Sequence, residues 1–378
     1  MNEFKKLGRR AFLAGTAGAA AFAVTAQAQQ AAPPAPAAAA PAAAPAATGV
    51  AVPPGAKKIA IASPTVPADQ MLGAEGANPA WQAFFAELRA QGYNDGQNVV
   101  FEKTSGAAFN MVRRLQGNRY NALGVNLART NPDVVFSGTT FTARGVNATT
   151  ETIPVVVVAG DLVASGLVQS LERPGGNITG VTAENGAALE TRRFDLLRET
   201  LPQANKVGYL VRSPINSPTP FGNSLISAAQ AAAQRLNMQL VPLYIDDVVD
   251  DVALDAGAHY RAMFEAKAQG VQAIVVAHTI DLTEYATDFG TLALAAKIPM
   301  VTPWRDATIG GGLLSFGANT AEMYRLAARQ VGRILKGEKP EAIAVALAEP
   351  ELTVSARNAR ALGITVPATV TAKAQEVV

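Results

Sequence analysis

The chain has 378 residues, of which 49% are hydrophobic and 16% are charged, and its formal net charge is +2. This length and apolar content are sufficient for more than one hydrophobic core, so two lobes are expected. The sequence contains no cysteine, which excludes disulfides, thiolate metal sites, a cysteine nucleophile and a lipidated N-terminal cysteine.

Residues 1–28 have the pattern of a secretory signal peptide. A basic head is followed by an uncharged apolar segment over residues 11–25 and by the small-residue cleavage site Ala26-Gln27-Ala28. Arg9 and Arg10 precede two apolar residues, which resembles twin-arginine export signals; an ordinary export signal is the alternative. Cleavage after Ala28 would leave 28 of the 32 basic and 29 of the 30 acidic residues, for a net charge of −1. We therefore predict a periplasmic protein, and its charge gives no reason to expect a nucleic-acid partner.

Residues 29–56 are almost wholly alanine and proline, with seven prolines. Such a segment buries too little side chain to fold and is expected to be a semi-extended linker. A rigid helix is the alternative, which the prolines disfavour. No later segment is long and apolar enough to predict a membrane span.

From residue 57 onwards, buried strands alternate with helices in two series. Strands are predicted at 57–62, 98–101, 134–136, 155–158 and 178–181 in the first series and at 206–211, 239–244, 271–277 and 298–301 in the second. Helices are predicted at 79–91, 107–130, 189–201, 223–236, 283–296 and 320–336. This order predicts the α/β class, with two doubly wound parallel-sheet lobes joined by a hinge. Lobe 1 is predicted to comprise residues 57–182 and about 318–337, and lobe 2 residues 183–317 and about 338–378.

The stretch at 153–182 organises the first series. Residues 155–158 are four valines, typical of a parallel strand covered by helices on both faces. Ligands of open parallel sheets bind outside the carboxyl ends of the strands, so the polar residues that follow the strands are predicted to line a cleft. After the strand at 134–136, hydroxyls and backbone N–H groups over residues 137–140 suit an anion or carboxylate. Asp161, which follows the valine strand, could hold the ammonium group of a zwitterionic ligand or orient a neighbouring loop.

Three further candidates follow strands of the second series. Trp304 could supply contact area at the cleft edge, and Arg305 beside it could pair with a ligand carboxylate. Filling a gap between the lobes is the alternative role for Trp304. His278 is a candidate ligand contact, with a structural or solvated role as its alternative.

A search for catalytic residues mostly fails. The chain has two histidines and contains none of the patterns H-E-x-x-H, G-x-S-x-G and GK[ST]. The glycine runs at 175–176 and 310–312 lack the G-x-G-x-x-G order and predict turns or a hinge. We therefore predict no catalytic residue, no metal site and no cofactor, and a protein that is not an enzyme.

Several sequence blocks, in order, resemble one known family. Gly160-Asp161-Leu-Val-Ala-Ser-Gly follows the valine strand, and Arg173-Pro-Gly-Gly-Asn177-Ile-Thr-Gly comes next. Further blocks are Gln91-Gly-Tyr-Asn-Asp-Gly-Gln, Gly312-Leu-Leu-Ser315-Phe-Gly317 and Ala361-Leu-Gly-Ile-Thr-Val-Pro367. Over nearly all of residues 57–378, the chain resembles the ABC-transporter substrate-binding proteins of the tryptophan/tyrosine-binding type.

The resemblance implies a type I periplasmic binding fold, in which two lobes joined by three crossovers close on a small ligand. It implies a monomeric receptor that captures an amino acid or related carboxylate and delivers it to an ABC permease and its ATPase. The residues placed at the ligand, several of them by their position at strand ends, are Ser63, Pro64, Ser137, Gly138, Thr139, Thr140, Gly160, Asp161, Glu184 and Asn185 in the first lobe and Arg212, Ser213, Asn216, His278, Thr279, Trp304 and Arg305 in the second.

Two other interpretations remain open at the level of sequence. One is an exported enzyme on the same two-lobed scaffold, since a fold does not set a function. The other is a ligand-sensing partner of a membrane receptor. Residues 66–77 and 301–309 depart from the family pattern near the pocket, which leaves the identity of the ligand open.

Overall fold

The computed structural model describes residues 53–63, 71, 79–105, 119–183, 187–212, 220–245, 262–263, 265–278 and 286–378. These residues lie in one structural unit that spans Thr48–Val378. The predicted signal peptide and most of the predicted linker lie outside the described residues.

Strands and helices alternate along the described chain. The strands are β1 (Lys57–Ser63), β2 (Val99–Ser105), β3 (Val134–Ser137), β4 (Val155–Ala159), β5 (Ile178–Ala183), β6 (Lys206–Arg212), β7 (Gln239–Ile245), β8 (Ala273–Val276), β9 (Met300–Thr302), β10 (Leu314–Ala318), β11 (Ala346–Ala348), β12 (Pro350–Val354) and β13 (Glu376–Val377). The helices are α1 (Pro79–Ala90), α2 (Arg119–Arg129), α3 (Thr140–Asn147), α4 (Ala187–Thr200), α5 (Pro220–Arg235), α6 (Ala286–Ala295), α7 (Arg305–Gly310), α8 (Thr320–Leu335), α9 (Ala356–Leu362) and α10 (Ala368–Thr371). None of the helices in these ranges is long and apolar enough to cross a bilayer.

The first sheet has the order β2-β1-β3-β4-β5-β11, and all its strand pairs are parallel. Every residue of β3, β4 and β5 is buried, because alternate residues of these strands enter two separate cores on the two faces of the sheet. The prediction of a central valine strand covered on both faces is confirmed.

The second sheet has the order β7-β6-β8-β9-β10-β12-β13. Its first five strands are parallel and repeat the arrangement of the first sheet, whereas β12 pairs antiparallel with β10. Two cores cover its faces in the same way. The predicted fold class, with two doubly wound lobes, is therefore confirmed.

Within the described residues, the chain passes from one sheet to the other at three places. After β5 it continues into α4, which packs in a core of the second sheet. Asn319 separates β10 from α8, which packs in a core of the first sheet, and Glu349 separates β11 from β12. The sequence placed the last return to the second lobe at about residue 338. In the structure the chain returns to the second lobe later than this, because Ile343 is buried in a core of the first sheet and β11 pairs with β5.

Candidate functional site

Each sheet reverses its strand order at one point, between β1 and β3 in the first sheet and between β6 and β8 in the second. The crevice outside the carboxyl ends of the strands at such a reversal is where open α/β sheets bind their ligands. Ser63 and Ser137 end the two strands at this point in the first sheet, and Arg212 ends β6 in the second. These are strand ends at which the sequence predicts ligand contacts.

Ser137, Gly138, Thr139 and Thr140 form a tight connection between β3 and α3. The buried Ser137 hydroxyl donates to the Thr139 carbonyl at 2.8 Å and accepts from the Thr139 backbone N–H at 3.2 Å. Thr139 caps α3, because its hydroxyl oxygen accepts from the Thr142 N–H at 3.2 Å. The hydroxyls of Ser137 and Thr139 thus stabilise the conformation of the loop. Thr140, in contrast, is half-buried.

Tyr324 lies at the same strand end, although sequence reasoning did not find it. Its hydroxyl oxygen is 2.7 Å from the point that a Cβ on Gly138 would occupy. Its ring packs edge-on against Trp81 and Phe136, with centroid distances of 5.3 and 5.1 Å. Half-buried Tyr324 therefore brings a phenol from α8 to the end of β3, where glycine leaves it room.

Gly160 and Asp161 follow β4 at the next strand end. The Asp161 Oδ1 atom accepts from the Ala164 N–H at 2.8 Å, and the Gly160 carbonyl accepts from the Thr182 hydroxyl at 3.0 Å. Asp161 therefore orders the turn that follows β4 through one of its carboxylate oxygens.

His278 follows β8 and contacts Trp304, with ring centroids 6.0 Å apart and an interplanar angle of 65°. The Trp304 side chain is buried in a core of the second sheet, whereas His278 is half-buried. Of this pair, His278 therefore keeps the larger exposed fraction, and Trp304 packs against it.

Arg305 forms a bidentate ion pair with Glu376 of β13. The hydrogen bonds between them raise the pKa of Arg305 and lower the pKa of Glu376. A ligand carboxylate would therefore have to compete with Glu376 for this guanidinium.

A buried polar cluster, which we define as Glu190, Arg193, Tyr209 and His278, lies beneath this strand end. The side chains of Glu190 and Arg193 are fully buried, and Arg193 Nη1 lies 2.8 Å from Glu190 Oε1. The His278 backbone N–H donates to Glu190 Oε1 at 3.0 Å, and Arg193 Nε donates to the Phe316 carbonyl at 2.8 Å.

Burial dominates the electrostatics of the buried polar cluster. Desolvation raises the pKa of Glu190 despite the opposing attraction of Arg193. Desolvation, followed by the negative charge of Glu190, raises the pKa of Tyr209 well above its ordinary value. Desolvation, followed by the charge of Arg193, lowers the pKa of His278 to about 3. His278 is therefore neutral in this site at physiological pH.

The low pKa of His278 predicts a pH dependence of stability. Between about pH 3 and 6.5, the unfolded chain binds a proton at this residue that the folded chain does not. The free energy of unfolding therefore falls as pH falls through this window, by up to about 1.4 kcal/mol per pH unit from this residue. We expect His278→Gln to remove this contribution.

Urea unfolding of the wild type and His278→Gln between pH 8 and 4 measures the contribution. Carboxylates and His259, which both proteins share, largely cancel in the difference. The stability of the wild type relative to the variant should be constant above pH 7 and decline below pH 6.5. A difference that stays constant down to pH 4 would show that His278 titrates normally.

A polar groove of about 900 Å³ opens at the opposite edge of the first sheet. It is lined by residues at the amino ends of strands, among them Lys57, Asp133 and Pro154, and by Asn177, whose amide donates to the Ile153 carbonyl at 2.8 Å. Because open parallel sheets bind ligands at the carboxyl edge, we place the site at the reversal points and not in this groove.

Several predicted contacts lie outside the described residues: Pro64, Glu184, Asn185, Ser213, Asn216 and Thr279. Among the residues that are described, no three His, Asp or Glu side chains are grouped so that they could hold a metal ion.

Comparison with protein families gives one match that covers most of the chain. The model of a family described as ABC transporter substrate binding protein matches residues 68–378. The chain belongs to this family. Membership confirms the resemblance seen in the sequence and the prediction of a solute-binding protein rather than an enzyme.

Relatives of this ABC transporter substrate-binding protein agree with the assignment. The tyrosine-binding protein of Clostridioides difficile (strain R20291) is 28% identical over 150 residues, which are 39% of this chain and 41% of that protein. The match thus spans less than half the length of that relative.

Two solved structures share the fold. A conserved domain protein from Vibrio cholerae has a TM-score of 0.68 at 25% identity, over 85% of this chain and 99% of its own. The ABC domain in complex with L-Trp from Streptococcus pneumoniae has a TM-score of 0.69 at 20% identity, over 85% of this chain and 100% of its own.

Proposed function

We propose that this protein captures an amino acid or related carboxylate between its lobes and delivers it to an ABC permease driven by its ATPase. The repeated strand order carries the proposal, because it gives each lobe one reversal point with polar residues at the strand ends. The relatives support the ligand class, since one is named a tyrosine-binding protein and another was solved with L-Trp.

In this proposal the first lobe binds both charged groups of a zwitterion, and the second lobe covers it. The loop at 137–140, at the start of α3, binds the ligand carboxylate, and Asp161 binds its ammonium group. Tyr324 and neutral His278 add uncharged hydrogen-bonding groups from α8 and β8. The other residues proposed to complete the wall are Ser63, Pro64, Gly160, Glu184, Asn185, Arg212, Ser213, Asn216, Thr279, Trp304 and Arg305.

Delivery follows from closure at the three crossovers. A ligand that contacts both lobes stabilises the closed state in proportion to its extra contacts there, and the permease recognises that state. We further propose that the monomer reaches the periplasm through the twin-arginine signal in residues 1–28, leaving 29–56 as a linker.

Thermal unfolding of the mature protein with individual ligands tests this function. At 100 times its Kd, a ligand stabilises the folded protein by about 2.7 kcal/mol. We expect this response from at least one of the twenty L-amino acids, with L-Trp and L-Tyr as the first probes. Deaminated carboxylic acids and sugars form the comparison sets.

Asp161→Asn is the matched variant for the ammonium contact. Its side-chain oxygen can still accept from the Ala164 N–H, so the turn is preserved. It should weaken binding of the active amino acid more than binding of the deaminated acid. A response to sugars alone would overturn the ligand class, and no response to any of these sets or to a periplasmic extract would overturn the binding function.

A further inference from the structure

We propose that Glu190 and Arg193 are positioning residues that set the ligand-facing end of the second sheet. The inference rests on the proposed binding function, to which it adds the residues that hold the wall formed by His278 and Trp304. It is carried by the span of the buried pair, by its place in the chain and by its unpartnered polar atoms.

The pair reaches across three neighbouring strands. Glu190 holds the backbone N–H of His278, which follows β8, and Arg193 holds the carbonyl of Phe316 on β10. In the sheet, β9 lies between β8 and β10, and β9 leads directly to Trp304. The ion pair between Glu190 and Arg193 therefore links the two strands that flank β9, which ends two residues before Trp304.

The pair also sits next to two of the crossovers. Glu190 lies in the first turn of α4, the first described element after β5 of the first sheet. Phe316 lies three residues before Asn319, where the chain returns to the first lobe. A change in either connection would therefore be transmitted to His278 through no more than two side chains.

The buried polar cluster is poorly suited to a purely stabilising role. Arg193 Nη2 and His278 Nδ1 are both buried, and neither makes a hydrogen bond within the described part of the chain. Buried polar atoms are normally satisfied, and buried ion pairs can often be replaced by apolar residues without loss of stability. A role in placing His278 accounts for the presence of these buried charges better than stability does.

Two double variants separate position from stability. Glu190→Leu/Arg193→Met removes both charges and the acceptor for the His278 N–H. Glu190→Gln/Arg193→Met also removes both charges but keeps a side-chain oxygen for that N–H. Both are studied in a Trp81→Phe background, in which Trp304 is the only tryptophan of the chain.

The first readout is hydrogen exchange at the His278 amide, measured by NMR. In the Leu/Met variant we expect exchange to be at least about 100-fold faster than in the parent, with the Gln/Met variant within about tenfold of it. The fluorescence emission maximum of Trp304 should shift in the Leu/Met variant, whereas in the Gln/Met variant it should match that of the parent. For the amino acid that stabilises the parent most, we expect Kd to rise at least about tenfold in the Leu/Met variant and less in the Gln/Met variant.

The outcomes distinguish this inference from the proposed function. Parental exchange and Trp304 emission in a folded Leu/Met variant would overturn the positioning role. If that variant does not fold, the exchange rate of the His278 amide in the parent tests the inference. Rapid exchange there would show that Glu190 does not hold this amide. If no amino acid binds the parent, the ligand class fails, while the exchange and emission data still decide the role of the pair.

Discussion

Arg193→Met alone is expected to lower the free energy of unfolding of the second lobe by about 3–5 kcal/mol. The substitution leaves the fully buried Glu190 carboxylate without its cation and the Phe316 carbonyl without its donor. The loss should shrink as pH is lowered, because protonation of Glu190 removes the unpaired charge. Urea unfolding followed through Trp304, in a Trp81→Phe background, reports on this lobe.

Arg192→Met is the matched control on the same helix. Arg192 pairs with Glu199 at 2.8 Å, but their side chains are 33% and 32% exposed. Removing a pair with this much exposure should cost no more than about 1 kcal/mol. Equal losses for Arg192→Met and Arg193→Met would mean that the burial of Glu190 carries no energetic penalty.

Gly180→Ala is expected to destabilise the first lobe by about 3 kcal/mol. Gly180 lies in β5 opposite Val157 of β4, and a Cβ at this position would lie 1.9 Å from the Val157 carbonyl oxygen and 2.8 Å from its nitrogen. These are backbone atoms of the central strand, so relief requires the two strands to move apart. Urea unfolding followed through Trp81, in a Trp304→Phe background, measures the effect.

Gly176→Ala provides the comparison four residues earlier. A Cβ on Gly176 would meet nothing within 4 Å, and Gly176 is exposed. We expect the free energy of unfolding of Gly176→Ala to stay within about 0.5 kcal/mol of that of the parent. Similar values for the two alanine variants would show that β4 and β5 can accommodate the extra methyl group.

The sequence predicts the strands of both lobes well because many of them are continuous apolar runs. Runs such as the valines at 155–158 are buried on both faces, so they carry the same signal in the sequence as in the structure. The strand ends follow from the bounds of these runs, whereas the strand order, and with it the reversal points, comes from the structure. Placing the loop at 137–140 and His278 at strand ends therefore needed no three-dimensional information.

The residues that sequence reasoning missed depend on contacts between distant parts of the chain. Tyr324 meets Gly138, and Arg305 meets Glu376, and neither pair shares a local pattern. Glu190 and Arg193 did leave a local trace, because they occupy the buried face of α4 together with Leu189, Phe194 and Leu197. Charged side chains on a helix are usually solvated, so the burial of Glu190 and Arg193 could not be predicted from their helical positions alone.

Asn319 and Glu349, the single residues that separate β10 from α8 and β11 from β12, limit how the lobes can move. The Asn319 amide also donates to Glu351 at 3.1 Å, which ties these two connections to each other. Linkers of one residue leave few torsions to absorb displacement, so translation and independent twisting of the lobes are suppressed. We therefore expect the lobes to open and close mainly by rotation about one axis through these two connections.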